Sequence, residues 1–216
     1  MTLLEPLPQA VATCVPDADP PVRINSVSDS SAQLAAVLEL ARRDSDLFLH
    51  GLAVGKMAER LALALGLPRP YAGRIRLAGV LHDIGKLAVP RALLNKPGPL
   101  TRAERRVVER HPVIGAAVVQ LAGMHREARW IRHHHERMDG RGYPDRLWSD
   151  EIPLPSRIIL VADAFDVLTF GRPYRPASTT EEALSELVAH HGTQFDPECV
   201  VALGRLVASN VAGPRL

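Results

Sequence analysis

Apolar positions along the chain recur at helical spacing and never settle into the alternation of a half-buried strand, so the pattern predicts an all-α bundle. From Ala32 to Leu65 the apolar residues keep one face, broken only at "RRDSD". Within that stretch His50, Val54, Met57, Leu61 and Leu65 share a stripe, which turns His50 inward. A second helix is predicted from about Pro70 to His82, with Ile75, Ala78 and His82 on one face and Gly85 as its stop. "KPGPLT" reads as a loop. Thr101 with Glu104 has capping-box spacing, which starts a helix running to about Arg110 and leaves His111 at the joint before Pro112. "VIGAAVVQLAG" and "REARWIRHHHER" read as two further helices, the second carrying Ile131, His134 and His135 three and four positions apart, ahead of the turn "DGRGYP". Pro155 opens the helix "SRIILVADAFDVLTF", where Ile159, Asp163 and Asp166 lie along one side. Thr179 with Glu182 repeats the capping-box spacing, and Asp196 followed by Pro197 caps the last helix.

Residues 1–28 are broken by prolines at 6, 8, 16, 20 and 21, so they are expected to form a flexible leader, with one domain over 29–216. The 216 residues suffice for a full core. Aromatic content of only 4% shifts its packing onto Leu, Val, Ile and Ala. A net charge of +2 is too mild for wrapping a nucleic-acid duplex, which takes a concentrated basic stripe. Cys14 and Cys199 are far apart and match no disulfide framework or zinc knuckle. Glu5 stands where a secretory signal would be basic, and no run approaches the ~18–20 apolar residues that cross a bilayer. A cytoplasmic protein without membrane insertion is expected.

The informative residues are polar ones in apolar places. His50, the pair His82 and Asp83, His111, the triple histidine 133–135, and Asp163 all fall on or beside apolar helical faces. A single half-buried histidine or aspartate is commonly bonded to a neighbouring backbone group. Five such places together would bury many ionisable groups at high cost unless cations supply the counter-charge. Imidazole mixed with carboxylate and free of thiolate suits Fe, Mn, Zn or Co rather than Ca or Mg. Adjacent His82 and Asp83 diverge by ~100° on a helix, so they can serve neighbouring positions, with the carboxylate between two ions.

"LHDIGK" at 81–86, "HPVIGA" at 111–116, "HHERMDGRGYP" at 134–144 and "VADAFD" at 161–166 together closely resemble the HD-GYP family of cyclic di-GMP phosphodiesterases, within the HD metal-dependent phosphohydrolases. The likeness covers about Asp44 to Gly204 and includes "RPYR" at 172–175 and "GTQFDP" at 192–197. It implies an HD-domain helical bundle with a C-terminal helical GYP extension. The metal ligands it implies are His50, His82, Asp83, His111, His134, His135 and Asp163, holding two divalent ions, Fe or Mn, with Asp83 bridging. Family members pair two histidines before the glutamate, which selects His134 and His135 over His133. Asp46 stands where some relatives use a glutamate for a third metal.

The implied reaction is hydrolysis of cyclic di-GMP to pGpG, with a second cut to GMP left open, by a metal-activated hydroxide, with Asp83 and Lys86 as the catalytic residues. Lys86 reads either as an answer to a helix dipole or as a phosphate contact. Tyr143 packs the turn or shapes the substrate pocket, and Asp166 orients a ligand or touches substrate. Arg157, Arg172 and Lys96 read as surface residues or as ligand contacts. The family's usual "LTSDRPYR" is "LTFGRPYR" here, with Phe170 and Gly171 replacing two polar residues. Alternatives are hydrolysis of another nucleotide such as a hybrid cyclic dinucleotide, or a non-catalytic cyclic di-GMP receptor. Diguanylate cyclases of the GGDEF type, or an upstream signalling partner, are the partner proteins the likeness implies.

Overall fold

The computed structural model describes residues 27–170 and 177–211, so residues 1–26 of the expected leader, Arg172 and the rest of "RPYR" lie outside the described residues, while residues 27 and 28 belong to the first helix. Within them the chain forms ten helices and no strand. They are α1 (Val27–Ala41), α2 (Ser45–Ala64), α3 (Arg69–Leu81), the single turn α4 (Arg91–Leu94), α5 (Arg102–Val108), α6 (His111–Leu121), α7 (His125–Arg132), α8 (Leu154–Phe170), α9 (Thr180–Ala189) and α10 (Pro197–Val211). None of them is long and apolar enough to cross a membrane.

The caps fall at the side chains whose spacing predicts them. Thr101 and Thr179 each form a reciprocal capping box, with Glu104 and Glu182, and Asp196 accepts from the N–H groups of Glu198 and Cys199. The charged break between α1 and α2 becomes the N-cap Asp44, whose carboxylate accepts from Leu47 N.

Two helices set the frame. α2 and α3 pack closely because glycines line their crossing: a Cβ on Gly51 would stand 2.3 Å from the Val80 carbonyl oxygen, and one on Gly79 would stand 2.8 Å from the Gly55 Cα. That approach puts His50 of α2 beside His82 at the end of α3, ring centroids 5.3 Å apart. Val54, Leu61, Ile75, Leu81, Ile158, Ile159 and Leu203 fill the interior between α2, α3, α8 and α10. Each such aliphatic side chain contributes roughly 1.5–3 kcal/mol on burial. α7 is bolted to this frame by a bidentate ion pair from Arg74 to buried Glu127, at 2.6 and 3.0 Å, and by the Ser156 hydroxyl, which donates to the Trp130 carbonyl.

Three local expectations change. α3 ends at Leu81, so His82 and Asp83 sit in the turn that leads into a 3-10 segment, Ile84–Ala88, rather than along a helix. α7 ends at Arg132, and the triple histidine lies in a turn beyond it. Between "LHDIGK" and "KPGPLT" the chain adds the four-residue α4, too short to leave a periodic trace.

Candidate metal centre

Four chain segments deliver imidazoles to one place. His82 follows the C-terminus of α3, His111 opens α6, His134 and His135 follow α7, and His50 sits one turn into α2. In the first three segments a backbone carbonyl three residues back fixes the ring: His82 Nδ1 donates to Gly79 O at 2.7 Å, His111 Nδ1 to Val108 O at 2.8 Å, and His134 Nδ1 to Ile131 O at 2.6 Å. A carbonyl only accepts, so the proton of each neutral ring is on Nδ1 and the Nε2 lone pair points inward. His50 follows the same rule with a side-chain acceptor, Nδ1 donating to Asp166 Oδ2 at 2.7 Å. A second acceptor that fixes the tautomer is the usual arrangement around metal-ligating histidine.

Asp83, almost wholly buried, divides its carboxylate between two sides. Oδ1 lies 3.1 Å from His111 Nε2 and 3.9 Å from His134 Nε2. Oδ2 lies 3.3 Å from His82 Nε2, 4.0 Å from His50 Nε2, and against Lys86 Nζ. Asp163 joins the second side, its Oδ1 3.1 Å from His50 Nε2 and 3.9 Å from His82 Nε2. Two candidate ligand groups result, sharing Asp83: one of Asp83, His111, His134 and His135, the other of His50, His82 and Asp83.

The donors fit cations and little else. His82 Nε2 and Asp83 Oδ1 are buried without a hydrogen-bond partner. His111 Nε2 and His134 Nε2 face each other at 3.4 Å although both rings have committed their protons to backbone carbonyls. Two opposed lone pairs in a dry interior repel, and a cation between them turns that repulsion into attraction.

Electrostatics agree. Burial pulls the His134 pKa well below the ordinary imidazole value and takes His135 down to about 3, so both rings are neutral at neutral pH, the form in which imidazole can bind a cation. Burial opposes ionisation of Asp83, but the neighbouring His82 and Lys86 outweigh it and hold the carboxyl far below its usual range. His50 differs. Burial lowers its pKa, yet hydrogen bonds to Asp163 and Asp166 outweigh that and raise it to about 9, so its proton stands in for a cation.

A pH dependence follows for the metal-free protein. His134 and His135 titrate near 6.5 when unfolded and far lower when folded, so the unfolded state binds more protons below that pH and stability falls with acidification. Thermal midpoints of chelator-treated protein should drop steadily from pH 6.5 toward 4, and a flat profile would contradict the assignment. His50 acts on the other side, its contribution complete below 6.5 and lost as pH rises through about 9.

The remaining predicted residues occupy distinct places. Lys86 and Asp166 line a cavity of about 590 Å³ that opens onto His50 and Asp83, and Asp46, exposed in the first turn of α2, lines the same cavity without joining either ligand group. Tyr143 stacks on His135, ring centroids 4.8 Å apart, and forms a wall of a second cavity of about 610 Å³ beside the GYP turn. His133 turns away from the cluster, its Nε2 2.9 Å from Asp145, which also takes both nitrogens of Arg132. Arg157 binds Asp196 at 2.7 Å and the Ile152 carbonyl, which ties α8 to α10, and Lys96 pairs with Glu104.

Spacing alone overlooked Glu136. Its buried carboxylate accepts the backbone N–H groups of Asp145, Arg146 and Leu147, folding the GYP turn back over the histidines. The sequence did carry a signal, a glutamate directly between the histidines and a glycine-rich turn. Arg137 adds a second tether, holding Asp139 and Gln194, while Asp139 N donates to Thr193 O; this gives "GTQFDP" a structural purpose. Glu136→Ala would leave three N–H groups without their acceptor and is expected to cost on the order of 3 kcal/mol in urea unfolding.

Comparison with known proteins shows the family. A model of the HD domain matches residues 25–199, and the chain belongs to that family. It is 40% identical over 194 residues to the cyclic di-GMP phosphodiesterase response regulator RpfG of Xanthomonas campestris, covering 86% of this chain and 50% of that protein. It is 36% identical over 173 residues to the 3'3'-cGAMP-specific phosphodiesterase 2 of Vibrio cholerae, covering 79% of this chain and 33% of that protein. The chain thus spans a half to a third of the length of these relatives. Among solved structures, the HDG"Y"P protein of Bdellovibrio bacteriovorus superposes with a TM-score of 0.63 at 20% identity, over 83% of this chain and 62% of that one, and shares the fold. The likeness to HD-GYP proteins drawn from the motifs is therefore borne out.

Proposed function

We propose that this chain hydrolyses cyclic di-GMP at a centre of two divalent ions held by His50, His82, Asp83, His111, His134, His135 and Asp163. The observation that carries the proposal is the Asp83 carboxylate, split between two groups of inward-facing imidazoles, with His82 Nε2 and Asp83 Oδ1 buried without a hydrogen-bond partner. Support for the substrate comes from the RpfG relative, whose name gives cyclic di-GMP. Mixed imidazole and carboxylate without thiolate suits Fe, Mn, Zn or Co, and the likeness to the HD-GYP family narrows the choice to iron or manganese.

When bound, such ions lower the pKa of a water toward neutrality and polarise phosphoryl oxygens. The protein's own residues do the rest. Asp83 holds Lys86 at the cavity edge, where its ammonium can take a non-bridging phosphate oxygen as charge gathers there. Asp166 keeps the His50 ring turned with Nε2 inward. Tyr143, stacked on His135, screens the cluster from the second cavity.

Asp166→Asn tests the orienting role. The amide can present N–H where the carboxylate accepted, which favours the other His50 tautomer and puts a proton on Nε2. Metal affinity is expected to fall about 10–100-fold, read by titration of metal into stripped protein.

The function itself is tested by incubating iron- or manganese-loaded protein with cyclic di-GMP, 3'3'-cGAMP and linear pGpG and resolving products by chromatography. Conversion of cyclic di-GMP to pGpG is expected. Preference for 3'3'-cGAMP would move the chain toward the Vibrio relative's specificity. Tight binding without turnover in loaded protein would make it a receptor.

A further inference from the structure

Phe170 ends α8 with 84% of its surface exposed, although Phe165, five residues earlier, is buried in the core. The ring lines the cavity whose floor is His50, Asp83 and Lys86. Leu49, 63% exposed, and Leu94, 37% exposed, share that rim. The cavity therefore has a charged floor and a collar in which these apolar side chains stand beside Asp46, Arg91 and Asn95.

We infer that Phe170 is a stacking platform for a nucleobase of the substrate, an affinity-setting residue of the proposed cyclic dinucleotide site; the inference rests on that functional reading. The helix places it there. Asp163, Asp166 and Phe170 stand three and four residues apart on one side of α8, so the residue bonded to the His50 ring and the exposed aromatic are successive teeth of a single ridge. From Asp163 to Phe170 the axis rises about 10 Å, which sets the ring outward from the donor cluster toward the cavity mouth.

A ligand suited to this arrangement is anionic at its middle and flat and apolar at its ends. A nucleotide diester meets both conditions, its phosphate facing Lys86 and its base facing the collar. Base stacking on an exposed aromatic needs no hydrogen-bond readout, so Phe170 adds affinity for a purine while leaving the choice between guanine and adenine to polar groups. The departure at "LTFG" from the family's polar pair acquires a purpose on this reading.

The test compares wild type with Phe170→Ala, Phe170→Leu and Phe170→Trp, all iron- or manganese-loaded, by steady-state hydrolysis of cyclic di-GMP. Phe170→Ala is expected to raise KM about tenfold with kcat, metal content and thermal midpoint unchanged, because the ring touches neither the ligand groups nor the core. Phe170→Leu should behave like Ala and Phe170→Trp should match or lower the wild-type KM. A wild-type KM in Phe170→Ala overturns the inference, and a wild-type KM in Phe170→Leu replaces stacking with mere apolar contact. Loaded wild type that turns over no cyclic dinucleotide overturns the functional reading instead.

Discussion

Asp83→Asn is expected to remove cyclic di-GMP turnover by at least ~10³-fold, about 4 kcal/mol of transition-state stabilisation, and to lower bound metal below the wild-type content. The amide has the carboxylate's shape without its charge, and only one of its two termini can accept. Whichever way it flips, either the His111 and His134 side or the His50 and His82 side meets an N–H donor where it now meets an oxygen. Two cations brought close together need an anion between them, and no other described carboxylate approaches both groups. Lys86 would also lose its charged partner and become free to move from the cavity edge. Elemental analysis paired with product chromatography reads both effects. Full turnover with normal metal content would remove Asp83 from the centre and with it the two-ion arrangement.

Much of this centre is legible in the sequence because its histidines keep company with apolar residues. His50 belongs to the stripe of Val54, Leu61 and Leu65, and a polar residue on such a stripe points inward whatever its purpose. The capping boxes at Thr101 and Thr179 are equally local. What spacing could not show was where helices stop. Periodicity ran through His82 and through the triple histidine, since both continue to face inward after the helix has ended. After α7 the chain is held by partners further along the sequence: Glu136 gathers the N–H groups of residues 145–147, and Tyr143 N donates to the His135 carbonyl. Arg157 is opaque for the same reason, its partner Asp196 being 39 residues away. The split of one carboxylate between two ligand groups is a property of packed helices, and no pattern along a single helix contains it.

Gly85→Ala is expected to break the centre without altering any ligand side chain. A Cβ at residue 85 would lie 2.0 Å from the His111 carbonyl oxygen and 2.6 Å from the Gly115 nitrogen, and both are backbone atoms that no rotamer change can move aside. Relief requires the 3-10 segment after Asp83 and the first turn of α6 to part. That motion separates Asp83 Oδ1 from His111 Nε2, now 3.1 Å apart. Overpacking in a core typically costs about 1–3 kcal/mol, and a clash between two backbones belongs at or above the upper end. The variant should therefore melt well below wild type and bind less metal. Two companions separate this from a general dislike of alanine. At Gly115 the nearest atoms to an added Cβ are 3.2 and 3.3 Å away, so Gly115→Ala should cost much less. At Gly73, inside α3, an added Cβ meets nothing within 4 Å, so Gly73→Ala should stabilise the protein by roughly 0.5–1 kcal/mol through helix propensity. Denaturation midpoints in the order Gly73→Ala, wild type, Gly115→Ala, Gly85→Ala, with metal loss confined to the last, would show that the glycine of "LHDIGK" is there because a helix must pass within touching distance of the bridging aspartate. Equal metal content in all four would detach the glycine contact from the centre.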